Sequence, residues 1–246
     1  MARILVAGEL NADLILSGLP SLPVLGRELL GTDFAMVLGS SSAITAARLA
    51  ALGADDPSYR VDFIGLIGND DIGRFVLRQL EAFGVHYADV STVDTPTGIT
   101  ISLPYARDRA LLTYPGAMTA FDGTAITAEL LSNYTHLHVG SFFLQTGLQP
   151  QLAAIFEQAR SVGVTTSLDV GWDPSEQWMQ NPSFAPALAE VDDFLPNEDE
   201  CSALADSPEA LRAMMRGTLW VKRGGRGASV YDAANAIHAP AFAVDP

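Results

Sequence analysis

Short runs of apolar, often β-branched residues alternate along this chain with stretches whose apolar positions recur every three or four residues, and most of those stretches stop at a glycine. The first pattern marks buried strands and the second marks helices. Their alternation predicts βαβ units: an α/β fold with a mostly parallel central sheet and helices on both faces. Strands are expected near residues 4–7, 61–67, 136–139, 165–169, 193–195, 219–222 and 228–231, most of them too apolar for a half-solvated sheet.

Helix ends follow from capping chemistry. Ser41 or Ser42 can cap a helix carrying Ile44, Leu49 and Leu52 up to Gly53, and Asp70 or Asp71 one carrying Ile72, Phe75, Val76, Leu80 and Phe83 up to Gly84. A third helix carries Leu152, Ile155, Phe156, Ala159 and Val162, and a fourth begins at Ser207-Pro208, with serine as cap and proline in the first turn. Two stretches break the rhythm. Residues 13–38 and 97–114 alternate apolar and polar positions between turn signals, which predicts a small antiparallel β lid beside the main domain or a dimerisation surface.

The 246 residues fit one large domain, and 48% hydrophobic against 17% charged residues excludes a disordered chain. No apolar run approaches the roughly 18 residues of a membrane span. The net charge of −15 disfavours nucleic acid as a partner, so an anionic ligand must be held locally by amides, a metal or placed cations. Lys222 is the sole lysine, and Cys201, the sole cysteine, cannot form an internal disulfide, which fits a cytoplasmic setting.

Polar residues gather just past strand ends, where open α/β sheets bind ligands. Gly8-Glu9-Leu10-Asn11-Ala12-Asp13 puts an amide and a carboxylate there, suited to a polyhydroxylated ligand or to a plain turn. Gly39-Ser40-Ser41-Ser42 precedes a helix and can offer amides and hydroxyls to an oxygen-rich ligand, or simply cap it. Gly65 through Gly73 reads as a strand, a capped turn and a helix start. Asp169 to Asp173 and Pro196-Asn197-Glu198-Asp199-Glu200 crowd carboxylates that can meet Mg²⁺, though Asn197 can equally cap a helix. Lys222 to Gly227 is the only basic cluster, and its glycines serve a phosphate or a hairpin turn. The four histidines read as packing or surface residues, and Gly-x-Gly-x-x-Gly is absent from the first turn.

In their order these segments resemble the ribokinase-like, PfkB-type carbohydrate kinases over almost the whole chain. Gly8 to Asp13 is similar to the strand end whose Asn and Asp hold sugar hydroxyls, and Gly39-Ser40 with Ala43 and Ala46 to the Gly-Gly signature. Ile64 to Gly73 resembles the Gly-x-Asp-x-x-Gly segment, and Tyr114 to Ala117 the end of the lid strands. Asn197 with Glu200 matches the Asn-x-x-Glu motif tied to magnesium and phosphate, and Lys222 to Gly227 the stretch bordering the nucleotide.

The resemblance implies one ribokinase-like domain over residues 1–246 and ATP-dependent phosphorylation of a sugar hydroxyl. Asn11, Asp13, Gly39 and Ser40 would meet the sugar; Asn197, Lys222, Arg223, Gly225 and Gly227 the nucleotide; and Glu200 the Mg²⁺. A homodimer through the lid strands is implied as well. Two departures stand out. Ser40 and Ile44 replace the second glycine and an asparagine, with Thr45 or Ser42 as stand-ins for the missing amide. The sequence closes at Val244-Asp245-Pro246, before the Asp-Thr-x-Gly-Ala-Gly-Asp motif that carries the base and anion hole, so the base is expected beyond Pro246 and activity of this chain to be impaired. Asp245 is not an obvious replacement, the base otherwise falling to Asp169 or Asp173, and a bare apolar sheet face is expected. Competing readings are a nucleoside kinase with Phe142, Phe143 or Trp172 stacking on a base, a non-catalytic sugar-binding pseudokinase and, least favoured, a Rossmann dehydrogenase.

Overall fold

The computed structural model of the chain describes residues 2–105 and 108–243, so Asp245 lies outside the described residues. The chain opens with β1 (Arg3–Gly8), β2 (Asn11–Ser17), β3 (Asp33–Leu38), α1 (Ser41–Leu52), β4 (Arg60–Gly68), α2 (Asp71–Ala82) and β5 (His86–Val93). Next come β6 (Gly98–Pro104), β7 (Arg109–Tyr114), α3 (Ala128–Leu131), β8 (His136–Val139), α4 (Leu152–Ser161) and β9 (Thr165–Leu168). It closes with α5 (Phe184–Glu190), β10 (Asp193–Phe194), α6 (Glu198–Leu204), α7 (Pro208–Arg212), β11 (Thr218–Lys222), β12 (Ala228–Tyr231) and β13 (Ala236–Ala239).

The main sheet has nine strands in the order β13-β12-β11-β10-β9-β8-β1-β4-β5 and contains all the expected ones. Pairing is parallel from β5 to β11, and the last two joints are antiparallel. The pattern did not announce β5 or β13: β5 is broken by His86, Asp89 and Ser91, and the exposed β13 has one large apolar residue, Ile237. Both are edge strands, which need not be apolar on two faces.

Side-chain alternation feeds two cores. Leu5, Leu137, Val139, Leu168, Phe194 and Leu219 face Phe156 of α4, Phe184 of α5, Leu204 of α6 and Leu211 of α7. Val6, Val61 and Phe63 face Ala43 and Ala46 of α1 and Val76 and Leu80 of α2. On that second face α1 and α2 pack over β1, β4 and β5, and the strands beyond β1 carry His136, His138, Ser167, Asp193 and Trp220. This stretch is polar, in contrast to the expected apolar face. His136 Nε2 and His138 Nδ1 both bond Ser167 Oγ, and Trp220 Nε1 donates to Asp193, so the pleat satisfies its own polar groups.

The second sheet runs β3-β2-β6-β7. Its outer pairs, β2 with β3 and β6 with β7, are antiparallel as expected, while β2 and β6 join in parallel. Both inner strands leave the same edge of the main sheet, β2 directly after β1 and β6 directly after Thr97, and therefore run outward side by side.

The candidate active site

The order in which strands are added to the main sheet reverses between β1 and β8, and a doubly wound sheet binds ligands beyond the carboxyl ends of the strands at that point. Glycines stand there on both sides. A Cβ on Gly8 or Gly140 would lie 2.6 or 2.8 Å from Ser42 Oγ, so the start of α1 packs directly onto the strand ends.

Asn11 and Asp13 open β2 above this crevice. Asn11 is 3% exposed; its Nδ2 donates to Thr100 Oγ1 at 2.9 Å, and its Oδ1 has no partner among the described residues. A buried acceptor left without a donor costs about 1–3 kcal/mol, so this corner is built to receive a hydrogen bond. Burial pushes the Asp13 carboxyl above its ordinary range, opposed by the Arg109 charge and the Asn11 amide. Gly39 has to be glycine: a Cβ there would collide with the Asp13 carboxylate and approach its backbone nitrogen to 2.9 Å.

Ser40, rather than Ser41 or Ser42, caps α1. Its Oγ accepts from Ala43 N at 3.0 Å and donates to the Glu9 carbonyl, so the hydroxyl is engaged on both sides. Ser42 does not stand in for the missing asparagine. It is buried, and its amide and hydroxyl both donate to the Glu9 carboxylate.

Further along the same edge, Asn197 and Glu200 form a capping box at the start of α6: Asn197 Oδ1 accepts from Glu200 N at 2.9 Å and Glu200 Oε2 from Asn197 N at 2.7 Å. Burial raises the Glu200 carboxyl, and Asp169 and Asp199 push the same way. Lys222 Nζ pairs with Asp169 at 2.5 Å, and Arg223 and Arg226 both bind Glu198. The basic cluster is thus internally paired. Its glycines form the β11–β12 hairpin, with Gly224 at φ 54° and Gly227 at φ 94°. A side chain on Gly224 or Gly225 would meet nothing, whereas one on Gly227 would strike Ala239 and Pro240. No described group of three or more acidic, His or Cys side chains is arranged to cage a metal. One carboxylate, Glu200, would suffice here only for a cation whose other ligands came from phosphates and water.

Two expectations are corrected. Phe142 and Phe143 are 1% and 5% exposed and lie in the large core, so neither can stack on a ligand; Trp172, at 55%, is open. Asp173 is no candidate base, because its buried carboxylate accepts from Ser175 N, Ser175 Oγ and Trp178 N, which lowers its pKa. The Gly68–Gly73 segment is the capped turn expected, and it also locks the lid: Asp70 caps α2 through Gly73 N while accepting from the amide and hydroxyl of Thr97, at the foot of β6.

The structure therefore gathers Asn11, Asp13, Gly39 and Ser40 at one corner and Asn197, Glu200, Lys222 and Arg223 at another. A shallow concavity of about 530 Å³ beside α4, lined by Gly123, Ile126, Ile155 and Gln158, lies outside this edge. The sequence model of the pfkB family of carbohydrate kinases matches residues 1–246. This chain belongs to that family. The pfkB-family chain is 32% identical over 117 residues to the ribokinase of Lactococcus lactis subsp. lactis (strain IL1403), covering 48% of this chain and 37% of the relative. It is 30% identical over 158 residues to the 2-dehydro-3-deoxygluconokinase of Bacillus subtilis (strain 168), covering 58% and 45%. The matches thus span less than half of either relative. Among solved structures, ribokinase from Giardia lamblia superposes with a TM-score of 0.83 at 17% identity, over 100% of this chain and 78% of that one. Arabidopsis thaliana ribokinase complexed with ribose and ATP gives 0.75 at 22% identity, over 98% and 78%. These likenesses establish a shared fold.

Within this pfkB-family site, sequence reasoning missed Gln145 and the bonding of Glu9. Gln145 Nε2 donates to the Gly140 carbonyl, and its buried Oε1 has no partner among the described residues. It sits in a short turn after β8 with no period or spacing to mark it. Glu9 lay within a quoted motif, but its partner Ser42 is 33 residues away.

Proposed function

We propose that the protein transfers the terminal phosphoryl group of ATP to a hydroxyl of a sugar. The observation that carries this reading is the buried, unpartnered Asn11 Oδ1 beside the Asp13 carboxylate, two acceptors aimed at hydroxyl donors at the reversal point of a pfkB-family sheet. In this reading Asn11 and Asp13 fix the sugar, and the bare backbone of Gly39 with the turn at Ser40 lets it approach. Lys222, Arg223, Gly225 and Gly227 border the nucleotide, Arg223 and Lys222 exchanging their internal carboxylate partners for phosphate oxygens. Glu200, held by Asn197, would be the carboxylate toward a magnesium ion brought with the phosphates, which would supply charge neutralisation. No described residue takes the role of base: Asp169 is paired with Lys222 and Asp173 is folded into its own loop. The apolar outer strands of the second sheet, with Phe34, Leu111 and Leu112 exposed, are the surface for a homodimer in the same reading.

The test is calorimetric binding of ribose, fructose, 2-dehydro-3-deoxygluconate and adenosine, with ADP release from Mg-ATP measured in parallel. Saturable sugar binding that Asp13→Ala weakens at least tenfold is the expected result. Sugar binding unchanged by Asp13→Ala would remove Asp13 from the site, and no sugar binding at all would refute the reading.

A further inference from the structure

Trp172 is a large apolar side chain held out in solvent on the rim of the site, and its surroundings keep it rigid. Its ring meets Trp178 edge-on at 5.0 Å and 89°, and Trp178 meets the buried Phe143 at 5.3 Å and 83°. The Asp173 carboxylate ties the loop down through Ser175 and Trp178. Two non-glycine residues of the loop, Glu176 and Trp178, adopt left-handed φ values of 52° and 45°. Such conformations persist only where the surroundings impose them.

The loop leans toward one corner of the edge. Phe142 N and Phe143 N donate to the carbonyls of Asp169 and Val170, joining the segments after β8 and β9. A Cβ on Gly171 would touch Ser141 Cα at 3.4 Å, and Ser141 follows Gly140, which abuts Ser42 at the start of α1. This sets the backbone before the indole against the end of β8, the neighbour of β1, which leads into Asn11 and Asp13, while Asp169 of the same segment reaches Lys222.

We infer that Trp172 is the stacking platform of the acceptor site and takes the apolar C–H face of a ring-form sugar. The inference rests on the sugar-kinase reading and adds a specificity element to it. The neighbours select the occupant: Phe142 and Phe143 are buried, so the indole offers one aromatic face rather than an aromatic cluster, the size of a single ring. A sugar ring has the two properties the corner matches, hydroxyls for Asn11 and Asp13 and one face of C–H groups. The Trp172 indole N–H, unpartnered among the described residues, adds a donor for a hydroxyl at the ring edge.

The chain has three tryptophans, so the part of a ligand-induced emission change that Trp172→Phe removes is the part assigned to Trp172. Fluorescence and calorimetric titrations with ribose, fructose and adenosine would compare the wild-type chain with Trp172→Phe and Trp172→Ala. A ring-form sugar is expected to shift wild-type emission; Trp172→Phe keeps the sugar Kd within about twofold yet loses most of that shift, and Trp172→Ala weakens sugar binding roughly tenfold. Binding of a non-hydrolysable ATP analogue is expected to be equal in all three. Sugar binding that Trp172→Ala leaves intact overturns the platform while preserving the kinase reading. Trp172-dependent binding of adenosine alone overturns the sugar as occupant, and absence of any sugar binding to wild type overturns both.

Discussion

Ser40 carries two opposed effects in one side chain. Its φ of 73° is a conformation L-residues adopt at a cost of about 1–3 kcal/mol, while its hydroxyl caps α1, a contribution of about 1 kcal/mol. Ser40→Ala keeps the strain and loses the cap, so urea unfolding should show a loss of about 1–2 kcal/mol. Ser40→Gly loses the cap but relieves the strain, and its midpoint should lie close to wild type. Asp13 makes the complementary point. Burial raises its folded pKa above 3.8, so its contribution to stability is full below that value and is lost as pH rises through the folded pKa. Asp13→Asn should therefore raise the Tm at pH 7 and lose that advantage below about pH 4, even as it removes sugar binding. The sequence shows Asn11 and Asp13 past a strand end; that Gly39 must lack a side chain to make room for Asp13 is visible only in three dimensions.

Among elements, β6 is set in place by a single side chain. Thr97 Oγ1 accepts from Gly68 N at 2.9 Å and meets Asp70 Oδ1 at 2.8 Å, while Thr97 N donates to Asp70 Oδ2. Thr97→Val keeps the shape and strands a buried amide, costing about 1–3 kcal/mol. Amide hydrogen exchange should speed up in β6 and β7 while β1 and β8 stay protected; uniform acceleration would refute a local clamp. Helices α1, α2 and α4 were legible from their apolar period and the glycines that follow them, and α7 from its Ser207 cap and Pro208. The edge strands β5 and β13 were not, because partial exposure leaves them no apolar run.

For the molecule as a whole, acid sensitivity follows from the polar pleat beneath the site. Burial lowers His138 from 6.5 to about 4, and it lowers His136 as well. A depressed base contributes stability that is present above its unfolded pKa and lost as pH falls toward the folded one. The chain should lose stability between pH 6.5 and about 4, and His138→Gln should flatten that part of the Tm-against-pH curve. An unchanged slope would assign the acid loss to other groups.

The sequence by itself determined the local choices: which segments are strands or helices, where caps fall, and that polar motifs follow strand ends, since each depends on a few neighbouring residues. It also left open whether Asn197, Gly39-Ser40 and Lys222–Gly227 are caps and turns or ligand groups. Only the tertiary structure decided that many are caps and turns already, that Asp169 and Glu198 pair with the basic cluster, and that Trp172 rather than Phe142 or Phe143 is exposed. Those outcomes depend on contacts between residues far apart in the chain, and on burial, which no local pattern records.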